Sequence, residues 1–184
     1  FIMLVQFLIY FGFSMIIPVM PQLIVDYNVS TMHLGFVLAI YSIASFISAP
    51  FFGMLSDKTG RRPLLIVGLL VFALSFFIFA VLSHSLTVLY ITRFVGGMAS
   101  GALYTATTSM VADLTSVQER TKYMGLVGMS VGFGFVFGPG IGGMLGSVAM
   151  SMPFFMTSAV ILVALIVAFL FIQETYKPST VPQG

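Results

Sequence analysis

The sequence predicts an all-α membrane protein built on six transmembrane helices. Three observations carry that prediction. First, the chain of 184 residues is 59% hydrophobic and only 7% charged, where a soluble domain carries about 25% charged residues. One protein core cannot hide that much apolar surface, so lipid must be the solvent. Second, six apolar runs are long enough to cross a bilayer core of about 30 Å, which takes roughly 20 helical residues. Third, the formal charges gather in the breaks between those runs.

Taken in order, the runs are about 1–20, 33–54, 64–82, 86–112, 123–147 and 153–173. The first ends at IIPVMPQ, where Pro18 and Pro21 read as a helix stop. The second stops at the charged stretch GMLSDKTGRRP, residues 53–63. The third follows Pro63, a residue that starts a helix without losing an intrahelical bond. Ser83–Ser85 separates the third from the fourth, Asp113–Lys122 the fourth from the fifth, and Gly146–Pro153 the fifth from the sixth. Backbone groups in hydrocarbon must be satisfied within their own segment, which makes each run a helix. The ten-residue alternation of a membrane barrel is missing from the sequence. Residues 174–184 form a polar tail, expected to be cytoplasmic.

Lys58, Arg61 and Arg62 lie in the second break, Arg120 and Lys122 in the fourth, and Lys177 in the tail; the other breaks carry no Lys or Arg. By the positive-inside rule both ends are expected in the cytoplasm, in a multi-pass protein of a bacterial plasma membrane. The third and sixth spans are the plainest and suit a lipid-facing position. The first, second, fourth and fifth carry the Gln, Ser, Thr, Tyr, Arg and Gly, and suit a protein interior or a water-filled path. With no cysteine there is no disulfide or thiol chemistry. A net charge of +2 confined to loops gives no nucleic-acid signature. Nothing in the sequence resembles a metal-ligand cluster, a cofactor-binding loop or a catalytic constellation, so neither cofactor nor enzyme activity is expected. His33 and His84 fall at predicted outer interfaces.

Within 53–63, Gly53 offers a site of helix approach and Gly60 permits a backbone reversal with positive φ. Asp57 and Arg61 can pair with each other or with Asp113 at the end of the fourth span. Arg93 is the one formal charge inside a predicted span, about 10 Å along its helix from the rise per residue. It either snorkels to the headgroups or faces a polar interior. Arg93, Gly97, Gly101, Tyr104 and Thr108 recur at helical spacing, which reads as a cavity wall. In the fifth span, Gly134, Gly138 and Gly142 repeat every four residues and give one smooth face for close packing in lipid. Pro139 removes the donor to the Phe135 carbonyl, so a bend is expected there. Gln6, Tyr10 and Ser14 share a face of the first helix; Tyr41, Ser45 and Ser48 share one of the second. With Phe13, Met129 and Phe133 they either line a broad apolar pocket or serve only as packing contacts.

Two strings resemble a known family. G-x-x-x-D-K-x-G-R-R, formed by Gly53, Asp57, Lys58, Gly60, Arg61 and Arg62, resembles the loop signature of the major facilitator superfamily. Gly125, Gly134, Gly138, Pro139, Gly142 and Gly143 resemble the fifth-helix motif of its drug/proton antiporter branch. RFVGGMASGA is similar to that branch's fourth-helix motif, although Val95 and Gly96 stand where the family often has Gln. The resemblance implies a twelve-helix fold of which this chain is the amino-terminal half-bundle, a 3+3 inverted repeat, with a carboxy-terminal six-helix half as its partner. It implies a multidrug or tetracycline-type efflux antiporter that exports amphipathic or cationic molecules by alternating access, driven by protons. In that picture the 53–63 loop, with Asp113, latches the halves, the fifth helix seals the cavity, and Arg93 takes part in proton coupling. No carboxylate lies within a span, so the proton-binding acid is expected in the other half. A sugar or metabolite facilitator of the same superfamily, or a non-transporting six-helix membrane protein, stands as the alternative.

Overall fold

A computed structural model describes residues 1–82 and 85–176. His84 and Lys177 lie outside the described residues. Seven α-helices are described: α1 (Ile2–Met15), α2 (Met20–Asp26), α3 (Met32–Thr59), α4 (Arg61–Val81), α5 (Leu86–Leu114), α6 (Arg120–Val148) and α7 (Met152–Phe171). A 3-10 turn at Ile17–Val19 joins α1 to α2, and together they make one apolar segment, Ile2–Asp26. Six segments are therefore long and apolar enough to cross a membrane.

The prolines of IIPVMPQ do not end the first span. Pro18 and Pro21 each sit in the first turn of a new helical segment. A missing N–H costs nothing there, so the helix tightens for one turn and continues. The charged break between α3 and α4 shrinks to a single residue, Gly60, whose φ is +100°. A side chain there would be strained, and a Cβ would also collide with the Glu174 carboxylate.

The helices contact one another in the order α3, α5, α4, α7, α1, α6. That order reads the same when α1 is exchanged with α5, α3 with α6, and α4 with α7. The fold is thus two three-helix repeats, over residues 2–81 and 86–171, joined through α4 and α7. Along the two outermost helices, buried, half-buried and exposed residues follow one another identically over 31–44 and 121–134. Sequence similarity between the repeats is faint, yet the packing environment repeats.

The core lies where α4, α5, α7 and α1 meet. Phe72, Phe76, Phe79 and Phe154 are fully buried. The Phe79 and Phe154 rings pack edge-on at 4.5 Å. Buried hydroxyls tie helices across this core: Ser158 donates to the Ala73 carbonyl at 3.0 Å, and Thr157 to the Gly12 carbonyl at 2.7 Å. Lipid is as apolar as leucine, so such contacts and dispersion hold the bundle more than water exclusion does.

This arrangement corrects one expectation. The third span, α4, is not chiefly lipid-facing; 56% of its most apolar stretch is buried, the highest share of the six. The polar-bearing α3 and α6 are instead the least buried, at 17% each. Hydrophobicity cannot separate a lipid-facing side chain from a core one, because both surroundings are apolar. Val67, Leu70, Leu74, Phe77, Ile78 and Val81 are the large apolar side chains of α4 that face outward.

Candidate functional site

Two groups of candidate residues occupy opposite ends of the bundle. At the α3–α4 end, Arg61 is the hub. Its Nη1 lies 2.6 Å from Asp57 Oδ1 and its Nε 3.2 Å from Asp113 Oδ2. Nη1 also donates to Ser56 Oγ at 2.6 Å. The two acidic partners proposed as alternatives from sequence are thus engaged together, which ties α3 and α4 to the end of α5. The Arg61 guanidinium covers the Tyr176 ring at 5.3 Å. Arg62 reaches α7 instead, donating to the Phe169 carbonyl at 2.8 Å. Lys58 is exposed. A Cβ on Gly53 would make only an ordinary contact, 3.5 Å from Thr105, so helix approach does not demand glycine there.

Sequence reading missed Glu174. Its carboxylate accepts from the backbone N–H groups of Arg61 at 2.9 Å and Arg62 at 3.0 Å, the first turn of α4. It also accepts from those of Thr175 at 3.0 Å and Tyr176 at 2.9 Å. Gly60 has no side chain to cap α4, and the carboxylate arriving from the far end of the chain does so. Burial pushes this carboxyl's pKa up, but the four N–H donors outweigh it and hold it below the usual glutamate range. The only sequence signal was an acidic residue just beyond the last apolar run.

Toward the other end, Arg93 is 3% exposed. Its Nε and Nη2 are buried with no hydrogen-bond partner. Aromatic faces take their place: the guanidinium lies 4.8 Å from the Phe76 ring centre and 5.9 Å from that of Tyr41. It does not snorkel. Arg93 lines an apolar pocket of about 150 Å³ between the first span, α3 and α5, together with Phe13, Ile17, Met20, Leu38 and Tyr41. The Phe13 and Tyr41 rings stack at 4.9 Å to form one wall.

The other residues expected around Arg93 do not share its wall. A Cβ on Gly97 would strike the Tyr41 carbonyl, and one on Gly101 the Ser48 hydroxyl and Ser45 carbonyl. These glycines let α5 press on α3, where Ser48 donates to the Met98 carbonyl at 3.1 Å. Tyr104 is exposed, and the Thr108 hydroxyl turns back to the Tyr104 carbonyl at 2.6 Å. Helical spacing found the strip, but its smoothness serves packing.

The second repeat solves the same contact in reverse. Gly134, Gly138 and Gly142 of α6 lie against Tyr10, Phe11, Ser14 and Met15 of α1, so close that any Cβ would collide. Ser14 donates to the Gly134 carbonyl at 2.8 Å. That makes Ser14 a packing residue and takes it out of the expected pocket. Tyr10 leans on Phe135 at 5.9 Å. Met129 and Phe133 are exposed on α6, away from the Arg93 pocket. A Cβ on Gly125 or Gly143 of the same motif would meet nothing from the rest of the bundle within 4 Å among the described residues. Helix α6 continues through Pro139 from Arg120 to Val148. Gln6 is buried, and neither atom of its amide has a partner.

Two inverted helix triplets with a charged clasp at one end and a buried arginine beside a pocket define an integral membrane protein of the inverted-repeat transporter type. Comparison with known proteins makes this specific. The chain belongs to the Major Facilitator Superfamily, which it matches over residues 2–184. It is 36% identical over 169 residues to multidrug resistance protein 2 of Bacillus subtilis, covering 92% of this chain and 42% of that protein. It is 34% identical over 174 residues to the quinolone resistance protein NorA of Staphylococcus aureus, covering 95% and 45% respectively. The human organic anion transporter MFSD10 (TETRAN) shares the fold, with a TM-score of 0.84 at 24% identity over 96% of this chain and 47% of its own. The chain thus spans about half the length of the curated relatives it matches.

Proposed function

We propose that this chain is the amino-terminal half of a twelve-helix transporter that exports amphipathic small molecules across the plasma membrane by alternating access, driven by protons. The observation that carries this reading is identity of about a third to two drug-resistance proteins along nearly the whole chain. The little-buried α3 and α6 suit it, since each leaves a broad apolar face for a second half. The positive-inside bias puts both ends and the Arg61 clasp in the cytoplasm. There Asp57, Arg61, Asp113 and Glu174 hold α3, α4, α5 and the tail together, and rocking between conformations would make or break them. Among the described residues every carboxylate sits at a helix end or in a loop. A proton-binding acid within the membrane therefore has to come from the other half.

Ethidium efflux from cells expressing the complete protein tests this reading. Energised cells should clear the dye, and a protonophore should stop them. Clearance that ignores the protonophore would remove proton coupling, and no clearance of any amphipathic dye would remove the drug-export reading. Asp57→Asn should slow efflux strongly while the protein still inserts.

A further inference from the structure

We propose that the Arg93 pocket is a binding site for the anionic group of an amphipathic aromatic carboxylate, with its ring against Phe13 and Tyr41 and its carboxylate on the guanidinium. This rests on the transporter reading and specifies one substrate class for it. The inference begins from an imbalance. An ionised guanidinium buried without an acceptor is among the costliest groups a fold can hold. Arg93 has two such nitrogens, and the aromatic faces of Phe76 and Tyr41 compensate the charge but accept none of its N–H bonds well. Among the described residues no acidic side chain lines the pocket, and Tyr41 is the only polar one there besides Arg93. The lining is therefore one cation and one phenol in a shell of apolar side chains.

Its size and shape narrow the ligand. An apolar cavity of about 150 Å³ holds roughly one benzene-sized ring. Ile17, Pro21 and Leu38 at the pocket are exposed, so a longer molecule can extend outward from it. A carboxylate matches the planar fork of arginine with two parallel bonds, which a neutral amide cannot do with charge. A cationic amphiphile would meet repulsion here and needs a different subsite.

The test uses the purified complete protein and three probes of one shape: 4-butylbenzoate, its neutral amide and the cationic 4-butylbenzylamine. Calorimetric titration should show the benzoate binding about tenfold or more tightly than the amide, the margin of a charge-assisted pair, with the amine weakest. Arg93→Gln should bring the benzoate and the amide within about twofold of each other. Leu38→Trp, which narrows the pocket without touching the guanidinium, should weaken the benzoate and the amide alike. That variant keeps the test decisive if Arg93→Gln does not fold. Equal binding of benzoate and amide by the unaltered protein would overturn the inference, as expected if a carboxylate of the other half already occupies Arg93. So would a benzoate preference that survives Arg93→Gln, or a benzoate affinity that Leu38→Trp leaves unchanged. Dye efflux, measured in parallel, is independent: efflux without the charge preference sinks only the anion site, and the preference without efflux sinks only the export reading.

Discussion

Arg61 and Arg93 are the same residue type treated in opposite ways. Arg61 sits at a helix start with two carboxylates, a hydroxyl and an aromatic ring around it. Arg93 sits in the bundle with aromatic faces and no acceptor. The first arrangement explains itself as structure, since both Nε and Nη1 of the guanidinium are engaged. The second leaves Nε and Nη2 without an acceptor among the described residues, the imbalance on which the proposed anion site rests. A paired charge at a helix end ties segments together, whereas an ionisable residue inside a membrane bundle is by default a candidate functional one.

That contrast can be broken or sharpened by substitution in the complete protein. The largest effect is expected from Gly101→Val, which forces α5 away from Ser45 and Ser48 of α3 and so pulls Tyr41 from Arg93. Overpacking of this kind costs about 3 kcal/mol. Thermal denaturation followed by size-exclusion chromatography should show a large loss, while the Arg61 end remains intact. Next comes Arg93→Met. Removing an unpaired buried charge should raise stability, by about 2 kcal/mol, while abolishing the benzoate preference. A loss of stability would mean that Arg93 is paired in the complete protein, and the contrast would fail.

Arg61→Ala should cost less in stability, about 1 kcal/mol, because its ion pairs are partly solvated. Its larger consequence should be slowed efflux, since the same contacts span four segments. Glu174→Gln should be milder still at neutral pH and should reveal itself in acid. Because the folded pKa of Glu174 is depressed, its contribution is full above the ordinary glutamate value of about 4.3 and fades as pH falls through the folded value. The variant should flatten that acid limb of the stability curve; an unchanged limb would show that the cap carries no weight. The smallest effect belongs to Gly140→Ala on α6, with nothing within 4 Å of its Cβ among the described residues. A large effect there would locate a close contact made by the other half.

Much of this was legible in the sequence where local chemistry dictates it. Asp57 and Arg61 stand four residues apart on either side of Gly60, so a tight reversal at that glycine is enough to bring them together. The fourfold repeat of Gly134, Gly138 and Gly142 announces a close-packed face, although not that α1 would cover it. Glu174 was illegible because its role depends on where α7 ends relative to the start of α4, a hundred residues away in sequence. Gly97 and Gly101 were assigned to a cavity wall because periodicity gives a face but not what the face meets. Pro18 and Pro21 were read as a possible stop because a 3-10 turn leaves no separate mark on composition.

The sequence by itself determined that the chain crosses a membrane six times, where its charges lie, and which family's strings it carries. These follow from the bilayer's demand for apolar length and from short-range spacing, both readable along one strand. Tertiary structure alone decided that α4 is central, that α3 and α6 stand at the rim, and that Arg93 faces a pocket with no acceptor. In an apolar solvent every hydrophobic face is equally content against lipid or protein. Only the fit of backbones and the reach of a few hydroxyls and charges choose between them.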